Sequence, residues 1–384
     1  MKRFASPVLV LLLLLFPAAL LAKSKQPKAI IAYVFAKDEV LTPDQIKAEE
    51  LTRINYAFAN IENGEIVEGF SHDTQNFATL VGLKSRNPQL KVLISVGGWT
   101  WSGRFSDMTL TAESRQKFID SAMRFIEAHD LDGIDIDWEY PGLPGNGNVN
   151  RPEDKQNYTA LLKELRHRLN QEQHKLGRQL FSSVATGSNQ KFLDHTEMSK
   201  VQRYVNTVNL MCYDYYEPSS DHTTGNHAPL FTNPNDPKAI SADASVKIYQ
   251  KAGVPAKKIV LGVPFYGHAW GNVNDVNHGL FQSGGEARVP ANYKDIVQTL
   301  LPNGYVRYWD NAASVPYLYN LSAHTFVSYE DVQSVTLKCS YVLKHKLGGI
   351  MFWDYAGDAD GALLKAINIG LHENPLPAAA AGGE

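Results

Sequence analysis

The sequence predicts an α/β fold, a closed (β/α)8 TIM barrel with a small α+β insertion domain, on three observations. Eight apolar runs of strand length recur along the chain, helical patterns lie between most of them, and the gap from Gly271 to Ala323 holds no long helix. Alternation of strands with helices implies a parallel sheet, and eight strands are the number that closes one into a barrel.

The strand-length runs are Ala29–Val34, Ile54–Ala59, Val92–Val96, Gly133–Tyr140, Phe181–Thr186, Val208–Tyr213, Ile259–Tyr266 and Gly349–Tyr355. Short apolar stretches of this kind suit a parallel sheet covered on both faces. Helical patterns occupy Thr42–Glu50, Asp73–Asn87, Thr111–His129, Pro152–Asn170, Asp243–Ala252 and Glu330–Leu347, with a shorter and less periodic one at Leu193–Val201. Pro152 followed by Glu153 and Asp154 marks a helix start, because an imino acid fits the first position and acids favour the positive dipole end. In the gap, turn residues dominate around β-prone pieces at Tyr305–Trp309 and Tyr317–Tyr319. A loop of that length without structure is uncommon, so 271–323 is expected to form an α+β unit walling one side of a cleft. The barrel then spans 23–270 and 324–374.

Met1–Ala22 sets Lys2 and Arg3 before the apolar run Val8–Leu15, then Pro17 and small residues. This is the layout of a secretory signal peptide, 1–22, with a core short for a membrane span. A secreted or periplasmic protein is expected, with no membrane contact after signal removal and with 375–384, rich in Ala and Gly, as a flexible tail. Loss of the leader leaves 35 basic against 40 acidic side chains, a net of −5, which argues against nucleic acid or an anionic membrane as partner. A monomer is expected. With Cys212 and Cys339 alone, disulfides do not hold the chain together. Cys212 lies between Met211 and Tyr213 on a strand and so faces the helical shell, and both thiols are expected to be free and buried.

The most informative stretch is Leu131–Pro141, Leu-Asp-Gly-Ile-Asp-Ile-Asp-Trp-Glu-Tyr-Pro. Ile134, Ile136 and Trp138 alternate with Asp135, Asp137 and Glu139, so a strand here puts three acids on one face. Stacked like charges destabilise a strand by roughly 0.2–1 kcal/mol per neighbouring pair, and more once water is excluded, which makes chemistry the better reason for the row. Two chemistries are open. Carboxylates can bind magnesium or calcium, or crowding can raise one carboxyl pKa so that Glu139 stays protonated and acts as a general acid. Same-face neighbours about 6.8 Å apart along a strand are too far apart to grip one small ion together, which favours the acid relay.

Asp132-Gly-Ile-Asp135-Ile-Asp137-Trp-Glu139 resembles the Asp-Gly-x-Asp-x-Asp-Trp-Glu signature of glycoside hydrolase family 18, the chitinases and their relatives. The resemblance extends over Ala29 to Leu371, with further motifs at strand ends: Ser95-Val-Gly97-Gly98-Trp99, Met211-Cys-Tyr213-Asp214, Tyr266-Gly-His268 and Met351-Phe-Trp353. It implies retaining hydrolysis of β-1,4-linked N-acetylglucosamine in chitin or its oligosaccharides, without a cofactor or metal and without an enzyme nucleophile. Glu139 would protonate the glycosidic oxygen while the substrate's own acetamido oxygen attacks the sugar carbon. Asp137 would hold the acetamido N–H, Asp135 would relay a proton or hydrogen bond to Asp137, and Tyr213 would bond the acetamido carbonyl. Substrate contacts are expected from Gly97, Gly98, Trp99 and Thr100 after the third strand, and from Tyr140, Met211, Asp214 and Tyr266. Trp353 would form the floor beneath the sugar, and Tyr33, Phe58, Trp99 and Trp101 would offer stacking along the cleft. Many members carry Arg where this chain has His268, which bears on one substrate contact and on the cleavage preference.

Two other readings differ in class. A lectin on the same scaffold would lack the acid, whereas Glu139, Asp137 and Asp135 are all present. A metal-dependent hydrolase would need His or further acids at neighbouring strand ends, where the sequence offers only Asp214 and Asp354.

Overall fold

The computed structural model describes residues 27–372; the expected signal peptide 1–22 and tail 375–384 lie outside the described residues. Eight parallel strands form the centre: β1 (Ala29–Phe35), β2 (Arg53–Glu62), β3 (Lys91–Gly97), β4 (Gly133–Asp137), β5 (Phe181–Gly187), β6 (Thr207–Met211), β7 (Ile259–Pro264) and β8 (Gly349–Trp353). β1 is paired in parallel with both β2 and β8, which closes the sheet into a (β/α)8 barrel. Four of the expected runs, ending at Tyr140, Tyr213, Tyr266 and Tyr355, continue two or three residues past the last paired position. Alternation reports extended backbone, whether or not a neighbour pairs with it. Those overhangs are the rim of the barrel.

The long helices are α1 (Asp73–Gly82), α2 (Ala112–Ala128), α3 (Asp154–Leu176), α4 (Ala242–Lys251), α5 (Val332–Lys344) and α6 (Ala362–His372). The expected helix Thr42–Glu50 is instead two 3-10 turns, Pro43–Gln45 and Ala48–Glu50, because Ile46 is extended and Lys47 is also non-helical. Leu193–Val201 is likewise split into Gln190–Asp194 and Met198–Val201. Helix α6 had no counterpart in the expected set; it buries Leu363, Leu364, Ile367 and Leu371.

The alternation on β4 divides two cores. Ile134, Ile136 and Trp138 face the helices, where Trp138 stacks on Phe105 at 5.2 Å and meets Tyr158 edge-on. The barrel interior holds a small apolar cluster of Ile31, Tyr33, Ala185, Val260 and Met351, with Met211, Tyr213 and Trp353 packed against it. Cys212 belongs to the shell-side core; both thiols are free and buried.

A second, five-stranded antiparallel sheet follows β7, in the order Gly285–Glu286, His268–Gly271, Thr325–Ser328, Val315–Asn320, Val306–Asp310. Its inner strands His268–Gly271 and Thr325–Ser328, with Phe326 opposite Trp270, reach beyond the expected 271–323. Both are too short, at four residues each, to stand out from the flanking chain. The sheet shares a core of Ala269, Ile296, Leu318 and Val327. It is tied to the barrel by the wholly buried Lys338 of α5, which pairs with Glu330 and donates to the Ala228 carbonyl at 2.7 Å. One strand, His268–Gly271, thus belongs to the second sheet and to the barrel rim.

Candidate active site

The acid row of β4 runs from the barrel interior to its carboxyl-terminal mouth, where catalytic groups of such barrels gather. Asp135 lies deepest. Its carboxylate accepts from Ser183 Oγ at 2.5 Å, Ser95 Oγ at 2.8 Å and Tyr33 Oη at 3.0 Å, with Asn209 Nδ2 at 3.5 Å. Burial holds this carboxyl above its ordinary value, and the three hydroxyls pull it back only in part. Asp137 is different: it is buried, yet its Oδ1 has no hydrogen-bond partner among the described residues. Burial first, then the charges of Glu139 and Asp135, hold its carboxyl well above the usual range.

Glu139 lies past the last paired residue of β4 and is held by its backbone. Its N–H donates to Ser102 Oγ at 2.8 Å, and Ser102 Oγ also lies 2.8 Å from the Gly98 carbonyl. The side chain is only 8% exposed, and burial raises its carboxyl to about 7; Tyr140 acts downward, while the charges of Asp214 and Glu217 add to the rise. A carboxyl poised there is protonated for a large fraction of the time at neutral pH.

The glycines after β3 allow this approach. Gly97 has φ +105°, and a Cβ on it would sit 2.3 Å from the Asp137 carbonyl oxygen; at Gly98, φ +71°, a Cβ would meet the Phe58 ring at 2.6 Å. Gly97 and Gly98 therefore let β3 and the next turn close on β4, and Trp99, 53% exposed, and Thr100 project at the rim.

Residues 29–358 match the model of glycosyl hydrolases family 18. The chain belongs to this family. It is 38% identical over 341 residues to chitinase A1 of Niallia circulans, across 79% of this chain and 48% of that protein, and so spans about half the length of that relative. In three dimensions it is similar to a family 18 N-acetylglucosaminidase from Paenibacillus barengoltzii, with a TM-score of 0.82 at 39% identity over 89% of this chain and 99% of the other. A class V chitinase from Nicotiana tobaccum, solved in complex with NAG4, gives a TM-score of 0.81 at 27% identity over 90% and 99%.

In this family 18 chain the other expected residues fall into two groups. At the mouth, Trp353 stacks on Phe58 with centroids 5.4 Å apart, and among the described residues Tyr213 Oη finds only the Met351 sulfur, at 3.9 Å. Tyr140, Met211 and Tyr266 are half-buried: Met211 packs on the interior cluster with Tyr213 and Trp353, Tyr266 meets Tyr213 edge-on at 6.2 Å, and Tyr140 meets Phe192 edge-on at 6.0 Å. Asp214 Oδ1 accepts from Tyr266 Oη at 2.6 Å and lies 2.8 Å from His268 Nε2. Tyr33 is in the second group. With 1% exposure and its hydroxyl on Asp135, it cannot offer a stacking face to a sugar; it belongs to the network beneath the site. Phe58 is also nearly covered and acts as a backing for Trp353.

The structure also adds residues that motif reading passed over. Ser183 and Asn209 look like ordinary strand polar residues in sequence, but their inward position on β5 and β6 could have marked them. Phe35 and Phe70 continue the aromatic wall from Trp353 to Trp101, with centroids 5.0–5.8 Å apart. His227 carries no motif signal, because it comes from the long connection after β6. The expectation that only Asp214 and Asp354 supplement the row is therefore corrected: His227 and His268 both reach Asp214, with one ligand atom from each of the three within 4.8 Å of the others. Burial pushes the Asp214 carboxyl upward, but the two imidazoles outweigh it and hold it well below the usual range. Burial takes the His227 imidazole down to about 4, so it is neutral at pH 7.

Proposed function

We propose that this chain is an exported chitinase that hydrolyses β-1,4-linked N-acetylglucosamine polymers or oligomers with retention, using Glu139 as proton donor and the substrate's acetamido group as nucleophile. The observation that carries this reading is the contrast along β4 between a raised, nearly buried Glu139 carboxyl and an Asp137 oxygen that lacks any donor. An acetamido N–H would satisfy that oxygen and turn the acetamido carbonyl toward the anomeric carbon. Tyr213, whose hydroxyl has only a weak sulfur acceptor, is free to bond that carbonyl. As the C–O bond to the leaving sugar breaks, Glu139 delivers its proton to the departing oxygen, and the attacking oxygen closes an oxazolinium ring. Asp137 then faces the positive charge, with Asp135 fixed behind it. Water, deprotonated by Glu139, opens the ring and restores the starting configuration.

The likeness to an N-acetylglucosaminidase over 99% of that chain favours a second reading in which single sugars are released from chain ends. Product analysis on N-acetylglucosamine oligomers of defined length decides between them: monomer alone from every length supports end-wise release, and dimers or longer products support chitinase action. Either reading requires the acetamido group. Fully deacetylated oligomers are expected to resist cleavage, and turnover of them at a comparable rate would overturn the substrate-assisted mechanism. Export rests on the Met1–Ala22 pattern, and N-terminal sequencing of the protein recovered outside the cytoplasm tests it.

A further inference from the structure

The cluster around Asp214 stands beside the acid row of β4 and combines one carboxylate with two imidazoles. His268 Nε2 lies 2.8 Å and His227 Nδ1 3.7 Å from Asp214 Oδ1, and the two imidazole rings stand 4.9 Å apart at 73°. Around a zinc ion with ligands at about 2.0–2.2 Å, neighbouring ligand atoms are separated by roughly 3.3–3.6 Å in tetrahedral geometry; the two spacings to Asp214 bracket that range, and all three ligand atoms lie within 4.8 Å of one another. Two imidazoles and one carboxylate suit a zinc-class cation and not magnesium or calcium, which prefer oxygen ligands throughout.

A second observation is independent of this spacing. His227 is fully buried, yet neither ring nitrogen has a hydrogen-bond partner among the described residues. Such an orphaned polar group costs about 1–3 kcal/mol, so it calls for a partner. Its position is nonetheless fixed: the His227 N–H donates to Ser328 Oγ at 2.9 Å, and its carbonyl accepts from the Tyr215 N–H at 3.1 Å. The ring is thus held beside Asp214 by the turn after β6 and by the second sheet.

We propose that Asp214, His227 and His268 form a binding site for a zinc-class divalent cation at the tip of β6, and that its occupation inhibits hydrolysis. The cation would take the Asp214 carboxylate that otherwise faces the substrate, beside Tyr213, and would compete with Tyr266 for it. Three protein ligands leave a fourth position for water. Binding is independent of the proposed reaction; only its inhibitory consequence rests on that reading.

The test is calorimetric titration of the full chain, stripped with chelator and dialysed, with zinc chloride and separately with magnesium chloride. One equivalent of zinc bound at micromolar concentration is expected, with no magnesium heat. His227→Gln and His268→Gln should each weaken binding by more than about tenfold. Asp275→Asn, which breaks an exposed His278–Asp275 pair elsewhere, should not. Thermal melting identifies variants that fail to fold, and His268→Gln decides if the buried His227→Gln does so. Zinc bound as tightly by the folded variants as by the wild type, or not bound at all, overturns the site. Hydrolysis should fall with the same zinc midpoint and return with chelator; binding without such loss overturns the inhibitory role. An enzyme inactive on N-acetylglucosamine oligomers with or without chelator would instead refute the proposed reaction, while the titration still decides the metal site.

Discussion

Asp135 and Asp137 sit two residues apart on one strand, on the same inward face and both buried, but their surroundings differ in kind. At the barrel floor Asp135 is surrounded by three hydroxyls and an amide, so the cost of burying its charge is offset in large part within the protein. At the mouth Asp137 keeps an acceptor with no donor among the described residues, next to a Glu139 carboxyl held near neutrality. A satisfied buried carboxylate is scaffolding. In the proposed reaction the unsatisfied one receives a donor that arrives with the substrate.

The largest break in this comparison is Glu139→Gln, which preserves shape and removes the proton. Hydrolysis should fall by roughly 10²–10⁴-fold or more, with oligosaccharide binding retained in a calorimetric titration. A variant keeping more than about a tenth of the wild-type rate would remove Glu139 from the role. Asp137→Asn comes next. If Asp137 acted only through its charge on Glu139, the amide would lower the Glu139 pKa and shift the basic limb of the pH profile downward at nearly constant height. With an acetamido group to orient and a cation to face, the rate should instead drop by about a hundredfold at every pH. Rate against pH separates the two outcomes.

How much of this was legible in sequence follows from the same contrast. The eight strands and the inward row were readable because period-two alternation is a local property of Ile134 to Glu139. Strand ends were not, since pairing depends on neighbours far away in the chain; Tyr213 and Tyr266 read as strand but overhang it. The floor was half legible: Ser95 stood in a motif, whereas Ser183 and Asn209 join Asp135 only through barrel closure. Tyr33 was misplaced for a related reason, because an aromatic at a barrel strand looks the same whether it lines a cleft or, as here, anchors a carboxylate. His227 was invisible, its role set by a long connection folding back onto β6.

The raised carboxyl at the mouth should also show in the stability of the chain. A carboxyl whose folded-state pKa is raised binds its proton more tightly in the folded than in the unfolded chain, so stability falls as pH rises between the two values. For Glu139 that window runs from the ordinary 4.5 to about 7. Glu139→Gln has no proton to lose, so its melting temperature should match the wild type near pH 4 and exceed it above pH 7, by about 2 °C for each kcal/mol released. A constant gap across that range would mean that the Glu139 pKa is not raised in the folded enzyme.

The mildest substitution acts on the floor itself. Tyr33→Phe deletes one of the three hydroxyls on Asp135 and the acceptor for Asn209 Nδ2 at 3.0 Å, with the ring left in place. As part of the floor, the hydroxyl should contribute about 1 kcal/mol of stability. Asp135 would become slightly more basic and less firmly aimed, so kcat should fall a few-fold with KM unchanged, since the ring is covered and does not reach the sugar. A Tyr33 hydroxyl that bonded substrate would give the opposite result, a KM that rises while kcat holds. Steady-state kinetics on a soluble oligomer, run beside thermal melts, distinguishes these outcomes, and the second would erase the line drawn here between the two ends of β4.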